Sequence, residues 1–253
     1  MHLDLILAGI AAILGGLVNA VAGGGTLITF PVLTALGVPP ITANITNTVA
    51  LCPGYLGGAY AQRKDIKGME KLMFLLIPVS IAGGFAGGFI LIHTGEKTFN
   101  FLIPYLLLLG SILLACQPIV KKLFNPNLNS RKKTKKHNAF WSILLVTPSA
   151  MYGGYFGAGL GVVLLAVMGM YINANLTKIN ALKQTVSLIV NVTAAFLFVF
   201  YANVYWDYAI VMAICAFVGG AIGGRIAGRL NPEIFRWVVV CIGLAIALIF
   251  FFK

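Results

Sequence analysis

The sequence predicts an all-α integral membrane protein made of two inverted-topology repeats. Each repeat has about five hydrophobic segments and contains Gly-broken half-helices or a re-entrant hairpin. Three observations predict it. Of the 253 residues, 60% are hydrophobic and only 9% charged, with mean hydropathy +0.96, and a soluble domain has nowhere to bury that much apolar surface. The chain also repeats itself at an offset of about 136 positions: Gly83, Gly84, Gly87 and Gly88 recur as Gly219, Gly220, Gly223 and Gly224, and residues 47–51 recur as 184–188 after a one-residue slip. Finally, most of the basic residues lie in three stretches that separate apolar spans: of 18 Lys and Arg, seven lie within 121–136, four within 63–71 and three within 225–236.

The expected segments of the first copy are 4–20, 26–37, 42–61, 72–92 and 99–119; those of the second are 140–154, 158–171, 177–202, 206–224 and 233–252. Residues 1–120 and 139–253 then form the two repeats, joined by a basic linker at 121–138. Segments 72–92, 99–119, 206–224 and 233–252 each approach the roughly 20 apolar residues needed to cross hydrocarbon. Segment 4–20 resembles a signal peptide with Ala20-Val21-Ala22 as cleavage site, but it lacks a basic n-region and its Gly-rich continuation has a counterpart in the second copy, so it is expected to stay. Segment 26–37 is too short to span at 1.5 Å per residue, and it is cut from its predecessor by Gly23, Gly24 and Gly25. Gly157, Gly159 and Gly161 repeat that break in the second copy. Irregular backbone at such breaks is tolerated where it is buried in protein or lines a polar cavity. Close helix packing is the competing reading, and it is the preferred one for the GxxxG-like pairs at 83–88 and 219–224.

The positive-inside rule puts all three basic stretches on the cytoplasmic face and the nearly neutral loops at 93–97 and 203–207 outside. The 63–71 stretch is then inside while its repeat-mate near 200–207 is outside, which gives the copies opposite orientation and leaves both termini outside the cytoplasm. The basic linker also suits contact with anionic lipid headgroups, though it serves first as a topological anchor. With the charge so placed, nucleic acid is not an expected partner. Cys52, Cys116, Cys215 and Cys241 stand singly in apolar segments without metal or disulfide spacing, and no ATP-binding motif occurs. No metal and no cofactor are expected.

All six acids (Asp4, Asp65, Glu70, Glu96, Asp207 and Glu233) and all three histidines fall at termini, in loops or at loop edges. Cation binding, proton relay and acid/base catalysis within the bilayer are therefore disfavoured, and no enzyme is expected. The polar groups left inside favour an anion. Asn44, Asn47 and Thr48 lie in the third segment of the first copy, and Asn180, Lys183, Gln184, Thr185, Ser187 and Asn191 in the matching segment of the second. Positions 180, 184, 187 and 191 form one stripe at helical spacing. Helix–helix contact is the plainer use of such a stripe. Lys183 is the one basic residue placed to enter the hydrocarbon, at a cost of about 2.5–3.5 kcal/mol on insertion scales; it either meets a counter-charge, the substrate included, or snorkels to the interface.

The runs Asn19-Ala20-Val21-Ala22-Gly23-Gly24-Gly25-Thr26-Leu27-Ile28-Thr29-Phe30-Pro31 and Ala43-Asn44-Ile45-Thr46-Asn47-Thr48-Val49-Ala50-Leu51, with Pro53-Gly54 and the second-copy Tyr152-Gly153-Gly154-Tyr155-Phe156-Gly157-Ala158-Gly159-Leu160-Gly161, resemble the TauE/SafE sulfite-exporter family of permeases. The resemblance covers nearly the whole chain. It departs at Val21, where a first glycine is expected, and at Leu160, which interrupts the second glycine run. It implies a bacterial inner-membrane transporter, an exporter in the first instance, of sulfite or a small organosulfur anion such as a sulfonate, sulfoacetate or thiosulfate. The expected site joins Asn47 and Thr48 to Lys183, Gln184 and Thr185, with Gly23, Gly24, Gly25, Gly157, Gly159 and Gly161 exposing backbone N–H groups. An uptake permease for another small solute and a non-transporting scaffold are the alternatives. Oligomeric state is left open.

Overall fold

A computed structural model describes residues 2–124, 139–172, 174–226 and 232–252. The basic linker at 121–138 falls largely outside the described residues, as does Arg229. Ten α-helices are present among those described: α1 (His2–Val21), α2 (Thr26–Ala35), α3 (Pro40–Ala61), α4 (Glu70–Ile92), α5 (Glu96–Phe124), α6 (Ala139–Tyr155), α7 (Leu160–Tyr171), α8 (Leu176–Tyr201), α9 (Trp206–Ile226) and α10 (Pro232–Phe251). They coincide with the ten expected segments to within a few residues at most ends. Five helical stretches are long and apolar enough to cross a membrane, namely His2–Val21, Glu70–Ile92, Glu96–Cys116, Thr177–Tyr201 and Trp206–Ile226. α2 and α7, with 10 and 12 residues, are too short to cross.

The two Gly-rich breaks close their helices in the same way. At the end of α1, the N–H groups of Ala22 and Gly23 both donate to Val18 O, at 2.7 and 2.8 Å; at the end of α6, those of Phe156 and Gly157 both donate to Tyr152 O, at 3.0 and 3.3 Å. Gly23 (φ +88°) and Gly157 (φ +75°) supply the left-handed residue that this ending requires. The structural register of the breaks is thus 23 to 157, two positions shorter than the 136 read from the sequence. Val21 therefore does not occupy a glycine's place: the residue that must adopt positive φ is Gly23, and it is a glycine.

Helix pairings come in exchanged sets. α9 of the second half wedges between α1 and α3 of the first, while α4 of the first wedges between α6 and α8 of the second. The GxxxG-like glycines make both crossings possible. A methyl on Gly84 would lie 2.7 Å from Val190 O and one on Gly83 2.5 Å from the Ala150 Cβ. On the other side, a methyl on Gly223 would lie 2.8 Å from the Leu17 Cα, and one on Gly220 would collide with Gly54 O. Close packing is the use these glycines are put to.

Apolar packing follows the same exchange. One buried cluster joins Leu72 and Leu76 of α4 to Val146 and Ala150 of α6, Leu164 and Met168 of α7, and Ile179, Leu182, Val186 and Val190 of α8. The larger cluster gathers α1, α2, α3, α5, α9 and α10 and also takes in Leu91 of α4, Val162 of α7 and Ala194, Leu197 and Phe198 of α8, with Phe30 of α2 edge-on to Phe156 at a centroid distance of 5.2 Å. α3 and α8 meet along a seam and run antiparallel. Asn180 Nδ2 donates to Gln62 Oε1 at 2.8 Å at one end, and Tyr205 N donates to Thr46 Oγ1 at 3.1 Å at the other.

Candidate functional site

The seam between α3 and α8 holds the polar groups that the apolar helices otherwise lack. On α8, Lys183, Gln184 and Ser187 are 0% exposed and Asn191 4%. On α3, Asn44, Asn47 and Thr48 are equally enclosed. The spacing 180, 183, 184, 187 and 191 places these side chains on one face at 100° per residue, and that face looks at α3 and at the end of α1. Lys183 does not snorkel. Its Nζ donates to Asn19 O at 3.2 Å, a carbonyl in the last turn of α1, where a cation complements the negative end of the helix.

Asparagines 136 positions apart make matched cross-contacts. Asn44 Nδ2 donates to Tyr155 O at 2.8 Å, at the end of α6, and Asn180 Nδ2 donates to Ala20 O at 3.3 Å, at the end of α1. Each thereby ties a long polar helix to the broken helix of the other half. The breaks themselves touch: a methyl on Gly23 would lie 2.8 Å from the Gly161 Cα, and one on Gly161 2.6 Å from the Gly23 Cα. Gly159 packs on Gly110, with Gly110 Cα 3.2 Å from its would-be methyl, and Gly24 packs on Leu114.

Several expected site residues are engaged otherwise than the sequence suggested. Of the backbone donors, Gly23 and Gly157 spend their N–H groups on closing α1 and α6, and Gly25 N donates to Asn19 Oδ1 at 2.7 Å. The break forces this, because a left-handed helix ending turns its own N–H groups back onto the helix. Thr48 Oγ1 donates to Asn44 O at 2.9 Å and Thr185 Oγ1 to Ala181 O at 3.2 Å, so each hydroxyl has used its single hydrogen on its own helix. Thr185 lies two residues from Lys183, roughly 200° around the helix, and points away from the seam. Lys183 and Gln184 share the α8 face near Gln62, Gly58 and the end of α1, whereas Asn47 lies on α3 beside Thr46, towards the Tyr205 end of the seam, and Thr185 faces away.

Enclosed polar atoms without a close protein partner lie along the same seam: Asn47 Oδ1 and Asn44 Oδ1 on α3 towards its Tyr205 end, and both amide atoms of Gln184, Ser187 Oγ on α8 and Asn19 Nδ2 on α1 towards the middle and the Gln62 end. Buried polar groups are nearly always paired, so these atoms set the seam apart from the apolar packing around it. Sequence reasoning missed Asn19 and Tyr55, whose phenol reaches the side chains of Asn19 and Asn191. Asn19 had a signal, since it opens the Gly-rich motif. Tyr55 had none beyond its place on α3. Among the described residues, no three His, Cys, Asp or Glu side chains converge where a metal would bind.

A family model for the sulfite exporter TauE/SafE matches residues 8–250. Among similar proteins is a probable membrane transporter protein of Haemophilus influenzae, 28% identical over 88% of this chain and 85% of its own length. The ORF9 probable membrane transporter protein of a Sinorhizobium species is 24% identical over 94% of this chain and 89% of its own. YfcA of Escherichia coli K12, with the same description, is 23% identical over 91% and 83%. A polar seam buried among membrane-length helices, within a chain that matches this model almost from end to end, is a multi-pass membrane transporter belonging to the TauE/SafE sulfite exporter family.

Proposed function

We propose that the chain is a secondary transporter that exports sulfite or a related small organosulfur anion, such as a sulfonate, sulfoacetate or thiosulfate, across a bacterial inner membrane. The observation that carries this reading is Lys183, a lysine with 0% exposure in the α3–α8 seam of a chain whose six acids all stand at helix ends or in turns. A cation kept at that depth serves an anionic substrate. Gln184 supplies an adaptable amide one residue away on the same helix, and Asn47 and Thr48 line the seam farther along α3, towards Tyr205. Gly23 and Gly161 make the close crossing of the two breaks, and Gly24, Gly25, Gly157 and Gly159 let the backbone around it pack tightly, where the positive ends of α2 and α7 add to the field.

Residues 1–120 and 139–253 are read as inverted repeats flanking the basic 121–138 linker, with both termini outside the cytoplasm. Antiparallel α3 and α8 and the exchanged packing of α4 and α9 support this. Alternating exposure then comes from rocking the α4–α6–α7–α8 body against the rest, which opens the seam to one face at a time.

The test is flux of labelled sulfite in liposomes holding only this protein, challenged with sulfate, thiosulfate, sulfoacetate and taurine. Saturable flux competed by the anions is expected. Competition by neutral or zwitterionic solutes instead moves the assignment to an uptake permease, and folded protein with no flux moves it to a scaffold.

A further inference from the structure

Asn19 stands where the break of the first half meets the seam, and its contacts fix which way its amide points. Gly25 N–H is a donor, 2.7 Å from Asn19 Oδ1, so the oxygen must face the break and Nδ2 must face away from it. The residue is 2% exposed, and Nδ2 is enclosed and turned towards the Tyr55 phenol without a close hydrogen bond. The same residue's main-chain oxygen receives Lys183 Nζ at 3.2 Å, which brings the ammonium to the residue that carries the amide. Tyr55 and Asn191 close the remaining side. An amide whose oxygen is fixed by Gly25 N and whose nitrogen carries two hydrogens, at most one of them for the Tyr55 phenol, keeps a preorganised donor for an oxygen atom near the buried cation.

We propose that Asn19 is a further substrate-binding residue, whose Nδ2 donates to an oxygen of the anion drawn in by Lys183. This rests on the anion-carrier reading above and goes beyond it in chemistry. Lysine provides charge with little directional demand, whereas an amide donor held in place requires an oxygen acceptor in its direction. Asn19 thereby selects oxyanions over spherical anions such as chloride, which the lysine alone does not. Because Oδ1 holds the Gly25 turn, the group that reads the substrate is also the one that braces the break.

The experiment uses the full chain in liposomes, with labelled sulfite as probe and chloride as competitor. Asn19→Asp keeps the shape and the acceptor for Gly25 N–H but replaces the donor with an anionic oxygen. The expected result is at least a tenfold rise in KM for sulfite, with thermal stability in detergent unchanged. Asn19→Ser keeps a smaller acceptor and removes the amide; it is expected to raise KM for sulfite and to lose preference for sulfite over chloride. Wild-type KM and selectivity in both variants overturn the proposal alone. So does a fall in Vmax or in folded yield at unchanged KM and selectivity, because that marks a brace for the break and nothing more. Absence of saturable flux in the wild type overturns the carrier reading and this proposal with it.

Discussion

Lys183 illustrates how much a single residue's role depends on its surroundings. In an isolated hydrophobic helix a lysine reaches for the interface, yet here the α8 face that carries it is closed over by α3 and by the end of α1, so Nζ finds Asn19 O instead. The contact gives Lys183 two jobs, capping α1 and presenting charge to the seam. Lys183→Ala removes both and is expected to cut sulfite flux at least tenfold. Lys183→Gln retains a donor for Asn19 O while losing the charge, and it should keep folded yield near wild type with flux still lost; normal flux in that variant takes the lysine out of the site. About two turns before Lys183, at the start of α8, Asn175 Oδ1 accepts from Lys178 N at 2.9 Å as a helix N-cap. Asn175→Ala should lower stability by about 1 kcal/mol, read as a small downward shift of the melting transition in detergent, with transport kinetics unchanged.

At the level of helices, small residues decide which elements become neighbours. No water-driven force separates apolar helices from lipid tails in a bilayer, so contact area and backbone approach select partners. The Gly219–Gly224 edge of α9 admits α1 on one side and α3 on the other, and the Gly83–Gly88 edge of α4 does the same for α6 and α8. Gly220→Leu drives a branched side chain into Gly54 O and should reduce folded yield severely. Gly95→Leu, at a position with nothing within 4 Å, is the control and should leave yield intact. Gly161→Ala sets a methyl 2.6 Å from the Gly23 Cα, a contact with backbone on both sides that cannot yield as a side chain would. A destabilisation of about 1–3 kcal/mol is expected there, seen as a lower melting temperature, together with reduced flux because the breaks are forced apart.

For the molecule as a whole, the proposed inversion has a direct readout. α4 separates the 63–69 turn from the 93–95 turn, and α8 starts beside the former, with Lys178 Nζ 2.9 Å from Lys67 O. Residues 201–205 therefore lie at the far end of α8 from Lys64, although repetition alone would equate the two regions. Replacing the four native cysteines and introducing Lys64→Cys, Gly95→Cys or Asn203→Cys singly should give labelling by an impermeant thiol reagent from outside intact cells at 95 and 203, and only after permeabilisation at 64. Identical sidedness for 64 and 203 would sink the inverted arrangement.

Membrane class, the ten helices, the short α2 and α7 and the candidate lysine are all legible in the sequence, because hydrophobic run length and the rarity of charge are local properties that bilayer thickness turns directly into structure. Family membership is legible too, since its motifs are contiguous. The pairing of elements is not: which glycine edge meets which helix depends on surface shape between segments more than 100 residues apart, as in the α1–α9 and α4–α8 crossings. Nor does the sequence disclose that Gly23, Gly25 and Gly157 spend their N–H groups internally, or that Thr185 faces away while Asn19 faces in. Hydrogen-bond partners are settled only when distant backbone is brought within about 3 Å, and that is a property of the packed helices rather than of any one of them.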